Sequence, residues 1–111
     1  MVTEHQLIKF VKEIIEYYAS FKSSYGDLEN QIIYDDERKI FELKVIGWYD
    51  SKRMYGTNIH VEIKDGLLWI HTDGAEEGIA VLLEKKGVPK SQIVLGWLSP
   101  FSRKLSDYAH V

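Results

Sequence analysis

The chain has 111 residues, the size of one domain, and 45 % are hydrophobic, which suits a folded globular protein and excludes a disordered one. It has no cysteine, so a disulfide frame and any thiolate site for zinc or catalysis are excluded. The 14 Lys and Arg against 17 Asp and Glu leave a net charge of −3, which sets the chain against a primary duplex-DNA binder, whose affinity rests on a strongly basic surface. The imbalance is uneven: residues 1–50 carry 10 acids against 6 bases, residues 51–111 carry 7 against 8. No apolar run approaches the roughly 20 residues that span a bilayer, and no charged-then-apolar leader opens the chain, so a cytoplasmic protein without membrane contact is expected.

Thr3-Glu4-His5-Gln6 reads as a capping box. Leu7, Val11, Ile14 and Tyr18 follow at helical spacing, widened by Ile8 and Ile15, with Lys9, Lys12, Glu13 and Glu16 on the other side. This predicts an amphipathic helix to about Ser20. Ser23-Ser24-Tyr25-Gly26-Asp27 breaks it, and residues 29–35 read as a strand followed by the charged turn Asp35-Asp36-Glu37-Arg38-Lys39. In the second strand, residues 40–48, Phe41, Leu43 and Val45 alternate with Glu42 and Lys44. Residues 49–52 form a loop, and residues 53–64 a long strand with a bulge or bend at Gly56.

Asp65-Gly66 between two alternating runs is the strongest hairpin signal in the chain, because a two-residue type I′ turn needs positive φ at both central positions. The turn sets Lys64 opposite Leu67, Ile63 opposite Leu68, Val61 opposite Ile70 and His60 opposite His71. Ile59, Val61, Ile63, Leu68 and Ile70 then share a face that must be covered. Asn58, His60, Glu62, Trp69, His71 and Asp73 share the other. Asp73-Gly74-Ala75-Glu76 reads as a second capping box, with Ile79, Leu82 and Leu83 as the buried stripe, Gly78 inside the helix, and Gly87-Val88-Pro89 as its stop. Residues 93–97 form a short apolar strand, and Ser99-Pro100-Phe101 turns into a mixed tail. The expected fold is one α+β domain over residues 1–111, an antiparallel sheet of four to five strands packed by two helices in the order α-β-β-β-β-α-β.

Catalytic signatures are missing. There is no nucleophile elbow and no glycine-rich phosphate loop, and the acids at 35–37 sit in a solvated turn. His60 and His71, with Glu62 or Asp73, make a partial metal set on the polar hairpin face, the minor reading being a metal-dependent hydrolase; a polar contact surface explains them more simply. No cofactor or metal is expected. Trp48, Arg53, Tyr55, Trp69, Trp97, Pro100 and Arg103 are the interface candidates, since Trp, Tyr and Arg dominate protein–protein hot spots; core packing is the competing reading for Trp48 and Trp97. Direct nucleic-acid binding is the alternative, with Lys52, Arg53, Lys85, Lys86 and Lys90 as phosphate contacts. Val45-Ile46-Gly47-Trp48 and Val94-Leu95-Gly96-Trp97 echo each other, which shared strand-end packing explains better than duplication.

Tyr25-Gly26-Asp27, Gly47-Trp48, Arg53-x-Tyr55-Gly56, Ile59-His60-x-x-Ile63-Lys64-Asp65-Gly66 and Trp69-Ile70 resemble the XisI family of fdxN-element excision controlling factors, found mainly in cyanobacteria. Gly78-Ile79-Ala80, Gly87-Val88-Pro89, Ile93-Val94-Leu95-Gly96, Pro100 and Arg103 extend the resemblance across nearly the whole chain. The sequence departs from the family pattern at Trp97-Leu98-Ser99 and at His71. The resemblance implies an accessory protein for programmed DNA excision in heterocyst differentiation. It implies no catalytic residue, a XisH-like partner, a possible homo-oligomer, and a possible indirect association with DNA through a recombinase complex.

Overall fold

The computed structural model describes residues 1–21 and 26–111; Ser23, Ser24 and Tyr25 of the expected helix breaker lie outside the described residues. Helix α1 (Glu4–Ala19) opens with the capping box: Thr3 Oγ1 accepts from the Gln6 amide at 3.2 Å, and Gln6 Oε1 accepts from the Thr3 amide at 3.0 Å. Strands β1 (Asp27–Asp35), β2 (Ile40–Tyr49), β3 (Lys52–Lys64) and β4 (Leu67–Asp73) form an antiparallel meander. Helix α2 (Ile79–Lys85) and a 3₁₀ turn (Lys90–Gln92) lead to β5 (Ile93–Leu95), and helix α3 (Pro100–Lys104) follows.

The sheet order β1-β2-β3-β4-β5 matches the expectation, with one difference: β5 runs parallel to β4. A hairpin forces antiparallel pairing, whereas a crossover through a helix lets the chain return in the same direction. The tail also holds a third helix, and β5 stops at Leu95, two residues short of the expected end.

The core forms where the alternation sends it. Leu7, Val11, Ile14 and Ile15 of α1 pack with Phe41, Leu43, Ile59, Val61, Ile63, Leu68 and Ile70 of the sheet, all buried; Ile79 and Leu83 of α2 join them. Each such side chain contributes about 1.5–3 kcal/mol, against roughly 0–1 for an exposed ion pair such as Lys39–Glu4, so this layer decides the fold. The 65–66 turn forms as expected, with φ of 54° at Asp65 and 76° at Gly66, and keeps Lys64, Ile63 and Val61 opposite Leu67, Leu68 and Ile70.

Register breaks twice. Between β2 and β3 the irregularity lies at Asn58, two residues beyond the expected Gly56, which instead pairs with Val45. Between β3 and β4, His60 faces Thr72 while Val61 faces Ile70, so His71 is the extra residue of a bulge. The expected capping box at 73–76 is replaced by a longer-range cap. Asp73 accepts from the Ala75 amide at 3.0 Å and the Ile79 amide at 2.9 Å, and Gly78, with φ of 89°, is the residue before α2 rather than inside it.

Candidate functional site

The sheet face turned away from the core carries a polar row. His60 lies opposite Glu42, and Glu62 lies between Ile40 and Trp69. His71 Nε2 stands 3.0 Å from Glu62 Oε1, and His60 Nδ1 stands 3.7 Å from Glu42 Oε1. Glu42 is shared with Lys44, whose ammonium also donates to Thr57 at 3.0 Å. The bulge removes the expected face-to-face register of His60 and His71, yet their rings still meet at 5.1 Å between centroids. It also turns Asp73 opposite Ile59, where its carboxylate is spent on α2. Among the described residues no three His, Asp or Glu are arranged to hold a metal ion.

Trp69 is half-buried in this face, stacked near His71 at 6.1 Å and 22°. Lys64 Nζ lies 4.7 Å from its ring centre and Arg103 Cζ lies 5.2 Å, so two cations share one indole face system. Arg103 is the anchor of the C-terminal segment. Its Nη1 donates to Leu98 O at 2.7 Å and its Nε donates to Val111 O. Ser99 caps α3 by accepting from the Ser102 amide, and Pro100 takes the first helical position, where its missing N–H costs nothing. That Ser-Pro pair, read from the sequence as a turn into a mixed tail, is the local signal by which α3 could have been found. Trp97, just before the cap, is 51 % exposed.

Trp48, Arg53 and Tyr55 form a second group at the β2–β3 turn. Trp48 and Arg53 are register partners, with the guanidinium carbon 5.5 Å from the indole centre; Trp48 is 49 % exposed and Tyr55 69 %. Core packing is therefore realised for neither Trp48 nor Trp97. Their echo has a shared cause: a Cβ on Gly47 would stand 2.0 Å from Asp27 O, and one on Gly96 would stand 2.9 Å from Ile70 O. Each glycine lets a neighbouring strand approach closely, and the next residue, an indole, is half open to solvent.

The cations expected to contact phosphate are spread over β3 (Lys52, Arg53), the end of α2 (Lys85, Lys86) and the 3₁₀ turn (Lys90), and three are already paired. Lys85 meets Glu77 at 2.8 Å, Lys86 meets Glu13 at 3.0 Å and Lys90 meets Glu84 at 3.8 Å. Sequence reasoning missed Leu105, 76 % exposed four residues after Phe101, itself 73 % exposed.

A family model described as "XisI protein" matches residues 1–110. Among solved structures, a XisI-like protein from Anabaena variabilis ATCC 29413 is 35 % identical, with a TM-score of 0.88 over 96 % of this chain and 97 % of that one. The fdxN element excision controlling factor XisI from the same organism is 26 % identical, with a TM-score of 0.79 over 95 % of this chain and 96 % of that one. No match was found among curated proteins.

Proposed function

Because the chain belongs to the XisI family, we propose that it is a non-enzymatic controlling factor for programmed excision of a DNA element, acting through contact with a XisH-like protein. One relative of the same fold is described as an fdxN element excision controlling factor, and the resemblance supplies the partner class. The observation that carries the reading is the pair of half-exposed indoles, Trp48 beside Arg53 and Trp97 next in sequence to Leu98, whose carbonyl Arg103 holds. Exposed Trp and Arg side chains are what protein interfaces use as anchors. The lysines at 85, 86 and 90 each have a glutamate within 4 Å, which favours the contact reading over phosphate binding.

The test is co-expression with a XisH-like protein and capture through a tag on this chain. Wild-type protein is expected to retain the partner, and Trp48→Ala with Trp97→Ala to retain at least about tenfold less, with an unchanged circular dichroism spectrum. Arg103→Ala is a poorer probe, since it also frees Leu98 and Val111. Wild-type protein that never retains such a partner would refute the reading.

A further inference from the structure

The sheet ends in two unlike edges. At one, β5 has three residues, and the Ala109 amide of the C-terminal segment donates to its Ile93 O at 2.9 Å. At the other, β1 runs nine residues in unbroken register with β2 and contains no proline, glycine or lysine. Folded proteins guard their edges with short strands, bulges, prolines or lysines, because a free row of N–H and C=O groups pairs with another strand.

The backbone phase fixes which groups are free. The Ile63 amide donates to Lys39 O at 2.9 Å, so the odd-numbered residues at this end of β2 bond to β3, and Ile40, Glu42 and Lys44 bond to β1. Their partners on β1 are Asp35, Ile33 and Gln31. The alternate residues Leu28, Asn30, Ile32 and Tyr34 therefore present their N–H and C=O groups at the open edge. Among the described residues nothing bonds to those groups. Ile32 and Ile33, on opposite faces of the strand, are 41 % and 39 % exposed.

The edge is ordered in advance. Asn30 Nδ2 donates to Ala19 O at 3.3 Å and to Phe21 O at 2.8 Å, and Tyr34 Oη donates to Glu16 Oε2 at 3.1 Å. These bonds fasten β1 to α1, and a strand already held in place loses little freedom on pairing.

The strand also specifies its occupant. Set antiparallel to its own copy about a two-fold axis at Gln31, its middle residue, β1 pairs Leu28 with Tyr34 and Asn30 with Ile32 on both sides of the axis. Every outward residue of one copy then meets an outward residue of the other. Gln31 faces Gln31, and a carboxamide both donates and accepts, so it can bond to itself. Glu29 falls opposite Ile33, and Asp27 opposite Asp35. Arg38, whose amide and guanidinium donate to Asp35 at 2.9 and 3.2 Å, brings a cation to that acid pair at each end.

We propose that two copies of this chain join antiparallel through β1, making one continuous sheet from two five-stranded ones. The pairing goes beyond the contact with a XisH-like protein and does not rest on it.

Sedimentation equilibrium of the wild-type chain is expected to show monomer and dimer in exchange. Amide hydrogen exchange, followed by nuclear magnetic resonance at low and high protein concentration, should slow at least about tenfold at Leu28, Asn30, Ile32 and Tyr34 in the dimer. The amides of Gln31 and Ile33, already bonded to β2, should change less. Gln31→Lys and Gln31→Glu each set like charges opposite one another at the axis and should weaken self-association about fivefold. Mixed in equal amounts, the two variants should associate more tightly than either does alone. A chain that stays monomeric at every concentration overturns the proposal. So does a dimer in which those four amides exchange as in the monomer, or a mixture of the two variants that associates no better than each by itself. Protection of the four amides that comes only when a XisH-like protein is added to a monomeric chain also overturns it, and gives the edge to that partner.

Discussion

Gln92 is the buried polar side chain of the core among the described residues, 2 % exposed. Its Oε1 accepts from the Val2 amide at 2.9 Å, while its Nε2 donates to Val2 O at 2.6 Å and to Gly66 O at 3.1 Å. One amide thus ties the N-terminal residues, the hairpin turn and the approach to β5. Gln92→Leu keeps roughly the volume but leaves those backbone groups without partners, which costs about 2–3 kcal/mol in all. Urea denaturation should show the midpoint falling with the slope unchanged; an unaltered midpoint would refute this role. Nothing in Ser91-Gln92-Ile93 announces it, because the partners lie 26 and 90 residues away. Arg103 is a related case. The sequence singled it out as an interface candidate, while its two carbonyl partners were visible only once the chain was folded.

Local chemistry made several elements legible. The Thr3–Gln6 box and the Asp65-Gly66 turn depend on residues within three or four positions of each other, and both formed where the residues said. The hairpin register held from the turn as far as Val61 and Ile70, then slipped at His71. That slip is a tertiary demand: beyond it the Gly74 amide donates to Asn58 O at 2.7 Å and Gly96 closes on His71, contacts that alternation cannot encode. Asp73 was marked as the N-cap of a helix beginning beside it; the N-cap is instead Gly78, and the Asp73 carboxylate reaches forward six residues to accept from the first helical amide, Ile79. Asp73→Ala should therefore cost about 1–2 kcal/mol of stability, the scale of a lost N-cap, read as a lower melting temperature. The helical signal of α2 should weaken with it. A substitution without effect would mean that the packing of Ile79 and Leu83 alone places α2.

In a particle of 44 × 29 × 25 Å, burial falls along β2 and β3 toward the turn that joins them. Phe41, Leu43, Ile59, Val61 and Ile70 are sealed, whereas Val45, Ile46, Met54 and Thr57 are half-buried, and Trp48, Arg53, Tyr55 and Gly56 are open. Hydrogen exchange should follow that gradient. Backbone amides of residues 46–56 should exchange about a hundredfold faster than those of 59–63, which report global opening. Equal protection along β3 would refute a soft end to the sheet. The α+β class and strand order were legible because hydrophobic alternation and turn chemistry fix a meander. The parallel return of β5 was not, since three apolar residues pair equally well in either direction on paper.

The anchoring of β5 has a consequence for biosynthesis. Val2 is bonded to Gln92, and Ala109 is bonded to Ile93, so residues 107 positions apart close on the start of β5 and the 3₁₀ turn before it. A ribosome must release residue 109 before that closure is complete, and contacts of such long sequence separation form slowly. The meander emerges first and waits with its β4 edge unpaired until the last stretch arrives. During that interval the nascent protein is most open to chaperones and to mispairing with its neighbours on a polysome.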